Sequence, residues 1–169
     1  ALALERAHDR IATATATRAR AGPGDPERGE LTMSIPTRMK AVRKVAAAGG
    51  PEATRIEEVP VPHIGPGEAL LRVIATAPCG TDRHIYHWDS SVSGKVVPPR
   101  TYGHEFCGKV AALGNAPGRT DLHEGDYVSA EMHVVCGTCR ACRGGKAHAC
   151  EKTRILGLHG DGCFAEYVV

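Results

Sequence analysis

Four of the seven cysteines stand in one short run, and their spacing constrains what this part of the chain can fold around. The run reads Cys136-x2-Cys139-x2-Cys142-x7-Cys150. Two consecutive two-residue gaps bring three thiolates within reach of one ion, and the flexible Gly144-Gly145 pair lets the chain turn back to deliver the fourth. Because four protein ligands complete a tetrahedral zinc site and leave no position for a substrate, the spacing predicts a structural zinc lobe.

The same cysteines admit two other interpretations, disulfides and an iron–sulfur cluster. Disulfides are typical of small secreted domains, but a secretory signal is not evident here and cysteines two residues apart bridge poorly. A bacterial-type cluster reads C-x2-C-x2-C-x3-C-P, whereas here the last gap is seven residues and no proline follows Cys150. Zinc is therefore the favoured interpretation of the run.

Composition favours a globular domain without a nucleic-acid or membrane partner. The 169 residues are 42% hydrophobic and carry a net charge of only +2. Aromatic residues make up 4% and do not interleave with a basic face, which argues against a zinc ribbon that binds nucleic acid. No apolar run approaches the roughly 20 residues that span a bilayer. Cysteines grouped at metal-ligand spacing suit a reducing cytoplasm, where we expect the protein to reside.

Residues 1–38 differ from the rest of the chain. The first twenty are rich in Ala, Thr and Arg with little apolar surface to bury, and a linker rich in Gly and Pro follows at 21–30. The arginines would suit a transit peptide, but Glu5 and Asp9 count against one. We expect a disordered or unrelated leader at 1–38, with Met39 as a candidate natural start, and a single folded domain at 39–169.

From Met39 onward the pattern turns to short strands separated by glycine turns. Such a pattern predicts a mainly β fold, a small barrel and not a helix bundle. The clearest strand is Ala69 to Ala77, which is apolar on both alternating sets of positions and is expected to be largely buried on both faces. The other predicted strands are 41–47, 54–59, 106–113, 126–131 and 164–169.

Two further segments carry residues suited to chemistry. Cys79 opens a stretch that reads as a turn into a short helix, and His104 and Glu105 precede a predicted strand. Cysteine and histidine from separate segments are suitable zinc ligands, and two or three protein ligands leave the open position that a catalytic metal needs. Taken alone, each residue is weak evidence, since a lone cysteine is usually a small buried hydrophobe and a lone histidine a satisfied polar group.

Several motifs follow one another in a specific order. They are Cys-Gly-Thr-Asp-x-His-Ile-Tyr-x-Trp-Asp from Cys79, Pro-Pro from Pro98, Gly-His-Glu-Phe from Gly103, Gly-Asp-x-Val from Gly125, the four-cysteine run, and Phe-Ala-Glu-Tyr from Phe164. In combination, these motifs resemble the zinc-dependent medium-chain alcohol dehydrogenases, and within that superfamily they are most similar to the L-threonine 3-dehydrogenases. The resemblance runs from Met39 to Val169 and implies a GroES-like irregular β-barrel with a projecting structural-zinc lobe and short helices.

The resemblance implies two zinc ions. Cys79 and His104 match ligands of the catalytic zinc, and Glu105 matches a glutamate that touches this metal or lies just behind it. Neighbouring side chains in an extended chain point apart, so His104 and Glu105 need not both be ligands at once. The ligands implied for the structural zinc are Cys136, Cys139, Cys142 and Cys150.

Three more residues acquire roles from the same resemblance. The Thr81 hydroxyl and the His84 imidazole match a proton relay, and His133 matches a histidine near the substrate. A purely structural alternative for Thr81 is the N-cap of the helix that contains His84, a role it could hold simultaneously.

The cofactor and partners are also implied by the resemblance. We expect NAD to bind a Rossmann domain beyond Val169, because the glycine cluster at 157–162 has the wrong spacing for a dinucleotide fingerprint. A further zinc ligand is expected there too. The implied substrate is a small alcohol, with L-threonine oxidised to 2-amino-3-oxobutanoate, and the full-length enzyme is expected to be a homo-oligomer. We expect the chain alone to be inactive. The alternatives are a polyol or other secondary-alcohol dehydrogenase domain, or a non-catalytic zinc-binding module.

Overall fold

The computed structural model describes residues 34–115 and 121–169. Most of the predicted leader, residues 1–33, therefore lies outside the described part of the chain. Arg38, the last residue assigned to that leader, is the first residue of the first strand.

Nine strands, two short α-helices and two 3-10 turns make up the described residues. The strands are β1 (Arg38–Lys44), β2 (Thr54–Pro60), β3 (Ala69–Thr76), β4 (Arg100–Thr101), β5 (Phe106–Leu113), β6 (Tyr127–Ser129), β7 (His133–Val134), β8 (Arg154–Ile155) and β9 (Tyr167–Val168); the helices are α1 (Gly80–His87) and α2 (Arg140–Arg143); the 3-10 turns are Pro51–Ala53 and Ala147–Ala149.

The strands form three sheets, with orders β2-β1-β4, β6-β5-β3-β9 and β7-β8. All pairings are antiparallel. The segment 164–166 joins the two larger sheets, because the Val42 amide donates to the Phe164 carbonyl, the Glu166 amide donates to the Lys40 carbonyl and the Val73 amide donates to the Glu166 carbonyl. This shared segment draws the sheets into one irregular barrel.

Period-two burial explains how the sheets enclose a core. In β1, Met39 and Ala41 are buried while Arg38 and Lys40 face solvent. Apolar side chains from the sheets and from α1 form three packed clusters. Their buried members are Leu71, Phe106, Val110, Val128, Cys163 and Val168; Ile85, Val92, Val96, Tyr102 and Leu158; and Met39, Val61, Leu70 and Tyr167.

The prediction of a mainly β fold with short helices is confirmed, but the expected burial of β3 is wrong. Only Leu70 and Leu71 of this strand are buried, and Ile74 is 48% exposed. The pairing of β3 with β5 is also irregular, with register shifts at Leu70/Leu71 and Val73/Ala75. Apolar residues on both faces indicate burial only where a second layer covers each face. The outer half of β3 has no such layer among the described residues.

Of the part of the chain that the structure describes, no helix has the length and apolar character needed to cross a bilayer.

We expect the packing of α1 to contribute strongly to stability. Ile85 has no exposed surface, so Ile85→Ala should lower the free energy of unfolding by about 2–5 kcal/mol through lost burial and a residual cavity. Ile56 is 74% exposed, so Ile56→Ala should change it by less than about 0.5 kcal/mol. Urea unfolding of the two variants measures both values, and equal effects would contradict the packing described here.

Candidate metal-binding sites

Within residues 34–115 and 121–169, two groups of side chains bring three or more ligand atoms within 4.8 Å of one another. One group is the four-cysteine run, and the other is Cys79, His104 and Glu105. The structure therefore brings together both of the ligand sets that the resemblance implies.

The four-cysteine group has the dimensions of one tetrahedral ion. The sulfur atoms of Cys136 and Cys150 are 3.5 Å apart, close to the edge of about 3.8 Å expected for four sulfurs around zinc. A disulfide needs about 2.05 Å, and all seven cysteines are free thiols. The disulfide interpretation is therefore wrong, because no pair of these sulfurs is bonded.

Backbone amides donate to the sulfurs and lower the pKa of two of the thiols, Cys136 and Cys139. The Cys139 amide donates to the Cys136 sulfur at 3.4 Å, and the Lys152 amide donates to the Cys150 sulfur at 3.3 Å. Hydrogen bonds from the Thr138 amide and hydroxyl lower the pKa of Cys136 to about 6. Desolvation raises the pKa of Cys142 to about 12. Four sulfurs this close cannot all carry charge without a cation between them, and a zinc ion would supply it.

Cys79 holds its place in the second group because it caps helix α1. Its sulfur accepts a hydrogen bond from the Thr81 amide at 3.3 Å, and its own amide donates to a carboxylate oxygen of Asp82 at 2.9 Å. This is a capping box. The N-cap is thus Cys79, and the structural alternative that gave this role to Thr81 is wrong because Thr81 lies inside the helix and offers its amide.

His104 meets Cys79 from a separate loop. Its Nε2 lies 3.1 Å from the Cys79 sulfur, against about 3.5 Å for the same two ligands on a tetrahedral zinc, so a shift of a few tenths of an ångström would admit the ion. The ring is buried, and its Nδ1 faces a carboxylate oxygen of Asp82 at 4.0 Å. Among the described residues, neither of these two facing atoms has a hydrogen-bond partner. A carboxylate behind a ligating histidine orients the ring and raises its basicity.

Asp82 is the residue that sequence reasoning missed. It is buried, it caps α1 with one oxygen, and it faces His104 with the other. The Cys-x2-Asp spacing is the capping-box signal that could have indicated the first role. The second role depends on a loop distant in sequence.

Glu105 differs from its neighbour His104 in burial, since His104 is buried and Glu105 is exposed. Its side chain is exposed, yet a carboxylate oxygen still lies within the 4.8 Å group. Its carbonyl oxygen accepts hydrogen bonds from the Ala77 amide at 3.0 Å and the Thr76 hydroxyl at 2.9 Å. These bonds fix the His104–Glu105 backbone to the end of β3, next to Cys79.

The glycine cluster at 157–162 supports the His104 loop from behind. The Gly162 amide donates to the Thr101 carbonyl at 2.8 Å, and the Cys163 amide donates to the Gly103 carbonyl at 2.9 Å. A Cβ on Gly162 would lie 2.1 Å from the Gly103 carbonyl oxygen, and a Cβ on Gly157 would lie 2.7 Å from the same atom. Close backbone approach explains glycine at these positions.

Helix α1 carries both residues of the implied relay. Thr81 and His84 are three positions apart and so lie on one face of the helix. The His84 Nδ1 donates to a carboxylate oxygen of Asp89, and the other oxygen accepts from the Ser91 hydroxyl at 2.6 Å. Hydrogen bonds from Ser91 and then from His84 lower the pKa of Asp89 to about 2, so its carboxylate is charged. The His84 side chain is 53% exposed and can exchange protons with water.

His133 lies on β7, at the base of the four-cysteine lobe. Its Nδ1 is 2.5 Å from a carboxylate oxygen of Glu131, and hydrogen bonds from His133 lower the pKa of Glu131. Its side chain is 44% exposed. His133 does not belong to either group of candidate ligands among the described residues.

Comparison with known proteins relates this chain to a family. Residues 65–169 match the family of alcohol dehydrogenase GroES-like domains. The chain is 52% identical over 130 residues to the L-threonine 3-dehydrogenase of Symbiobacterium thermophilum. The matched region covers 77% of this chain and 36% of that relative. The chain thus spans about a third of the length of the curated relatives it matches.

Solved structures show the same architecture. An NAD-dependent alcohol dehydrogenase is 34% identical with a TM-score of 0.67, over 77% of this chain and 36% of the other. A cobalt- and zinc-bound thermostable alcohol dehydrogenase from Pyrobaculum aerophilum is 34% identical with a TM-score of 0.65, over 78% of this chain and 38% of the other. The expected GroES-like fold is therefore confirmed.

The glycine contact behind His104 generates a stability prediction. Gly162→Ala forces a methyl group against the Gly103 backbone and should lower the free energy of unfolding by about 1–3 kcal/mol. Gly160→Ala, in the same turn, meets only the end of the Arg154 side chain at 3.3 Å and should have a much smaller effect. Urea unfolding measures both, and a Gly162→Ala variant as stable as Gly160→Ala would show that the contact is unimportant.

Proposed function

This chain belongs to the family of alcohol dehydrogenase GroES-like domains, and from that membership we propose that residues 39–169 form the catalytic domain of a zinc-dependent, NAD-linked L-threonine 3-dehydrogenase. The observation that carries the proposal is the meeting of a thiol, an imidazole and a carboxylate from two separate loops, apart from a closed four-cysteine site. An enclosed ion stabilises a fold, whereas an ion with few protein ligands has room for a substrate.

The two zinc sites have different tasks. Cys136, Cys139, Cys142 and Cys150 would hold a structural ion. Cys79 and His104, with Glu105 at the open side, would hold the second ion. When bound there, zinc supplies Lewis acidity that polarises the oxygen of an alcohol and lowers its pKa.

Thr81 and His84 would carry the hydroxyl proton away. The Thr81 hydroxyl can accept a proton and donate another, so it can pass one from the substrate toward the imidazole. Because Asp89 accepts a hydrogen bond from Nδ1 of His84, the other ring nitrogen is left to accept a proton. The charged Asp89 carboxylate stabilises the resulting imidazolium, and the exposed ring releases the proton to water.

L-threonine is the proposed substrate because the curated relative at 52% identity is an L-threonine 3-dehydrogenase. Oxidation of its 3-hydroxyl gives 2-amino-3-oxobutanoate, with one hydride transferred to NAD+ and one proton released. His133, held by Glu131, would contact the substrate near the reacting centre. NAD would be bound by a part of the enzyme outside this chain.

We propose that the protein resides in the cytoplasm, where its seven free thiols would stay reduced. We also propose that the longer enzyme is a homo-oligomer.

Metal counting tests the proposal. The chain prepared with zinc should hold two ions, one of which a chelator removes readily, because only the four-cysteine ion is enclosed. Elemental analysis before and after chelation measures this. A single, tightly held ion would favour the alternative of a non-catalytic zinc-binding module.

The chain alone should form no NADH with L-threonine, and detectable turnover would show that the nucleotide site had been misplaced.

Asp82 gives a sharper test of the open site. Asp82→Asn removes the charge behind His104 and should weaken metal binding at Cys79 and His104 by about 10–100-fold, while binding at the four cysteines is unchanged. Chelator competition with Co2+ separates the two sites by their spectra. Glu124→Gln makes the same change at an exposed position and should affect neither site. Equal affinity in the two variants would contradict the role of Asp82.

A further inference from the structure

Lys44, the last residue of β1, is fully buried, which is rare for a lysine. Burial of an ammonium group requires partners that compensate for its lost hydration. Among the described residues none of its contacts is an ion pair with a carboxylate. Its partners must therefore be of another kind.

Among the described residues, the hydrogen bond and ring contacts of the ammonium group lie at the C-terminal end of α1. Its Nζ donates a hydrogen bond to the Tyr86 carbonyl at 2.9 Å. It also lies 5.9 Å from the centre of the Tyr86 ring and 5.8 Å from that of Trp88, within cation–π range. The carbonyls at this end of a helix carry partial negative charge, which favours a cation. Desolvation by burial lowers the pKa of Lys44.

The same helix end is held by a tight turn from the other side. The Gly50 amide donates to the Tyr86 carbonyl at 2.9 Å, so this oxygen accepts two hydrogen bonds. A Cβ on Gly49 would lie 2.6 Å from the His87 carbonyl oxygen. The helix end is thus fixed from two sides, by Lys44 and by the Gly49-Gly50 turn.

Trp88, whose ring lies near the Lys44 ammonium group, also sets the direction of the chain at Asp89. Trp88 has a left-handed backbone with φ of 56°, a conformation that non-glycine residues adopt only when their surroundings favour it. Directly after it, the Asp89 amide donates to the His84 carbonyl at 3.4 Å, and the Asp89 carboxylate accepts from the His84 ring. The Trp88 turn therefore delivers Asp89 to His84.

We propose that Lys44 is a positioning residue whose buried ammonium group fixes the Trp88 turn and thereby holds Asp89 against His84. The role of Lys44 in proton transfer rests on the proposed function, whereas its positioning of Asp89 depends only on the fold. Methionine would fill the same space without the loss of hydration, so packing alone does not call for a charge here. A charge close to the Tyr86 and Trp88 rings and to the helix end instead favours one orientation of the rings and the helix end.

Two spectroscopic signals of the zinc-loaded chain test the proposal. Trp88 is the sole tryptophan, so its emission reports directly on the site of contact. The His84 ring nitrogens, detected by 15N NMR through the carbon-bound ring protons, should give the signal of the Nδ1–H tautomer while Nδ1 is bonded to Asp89. In Lys44→Met we expect loss of the NMR signal and a shift of the emission maximum. Lys44→Arg keeps the charge and should retain the NMR signal. Lys40→Met, at an exposed position of the same strand, should change neither.

A folded Lys44→Met variant that keeps the His84 signal would overturn the proposal. If that variant does not fold, Lys44→Gln replaces it, because glutamine keeps a donor for the Tyr86 carbonyl while removing the charge. Loss of the signal in Lys44→Gln supports the proposal, and a retained signal overturns it. The zinc content of the same samples is a separate result: a chain that binds no zinc would count against the proposed function without altering the outcome for Lys44.

Discussion

The return of residues 162–166 across the barrel is the constraint on which the rest of the structure depends. Backbone hydrogen bonds tie this segment to the loop 101–103, to β1 and to β3. Residues 101–103, which these bonds hold, directly precede His104, and β3 ends shortly before Cys79. Backbone bonds near the end of the described chain therefore set the distance between two candidate ligands that stand 25 positions apart in sequence.

The two candidate metal sites differ in how their surroundings compensate for charge. The four sulfurs lie on a short lobe whose backbone amides donate hydrogen bonds to Cys136, Cys139 and Cys150. The site at Cys79 and His104 instead uses one helix N-terminus and one buried carboxylate. The first arrangement suits a resident ion, and the second leaves one side of the ion to other ligands.

Local spacing carried most of what the sequence could predict. The gaps between cysteines, the turn into α1 and the short alternating strands are properties of neighbouring residues, and the structure contains each of them. Contacts between distant segments were not predictable in this way. The partner of Asp82, the approach of Gly162 to Gly103 and the burial of Lys44 all depend on which loops the barrel brings together. Burial of β3 was misjudged for the same reason, because a strand pattern does not say what covers each face.

The sulfur of Cys79 serves two structures at once. It completes the first turn of α1, and it is a candidate ligand on the metal side of that turn. Oxidation to a sulfinic acid would add bulk and charge to an atom that has close neighbours on both sides. Oxidation of this one atom would therefore disrupt the first turn of α1 and remove a candidate metal ligand at the same time, so the two effects would occur together.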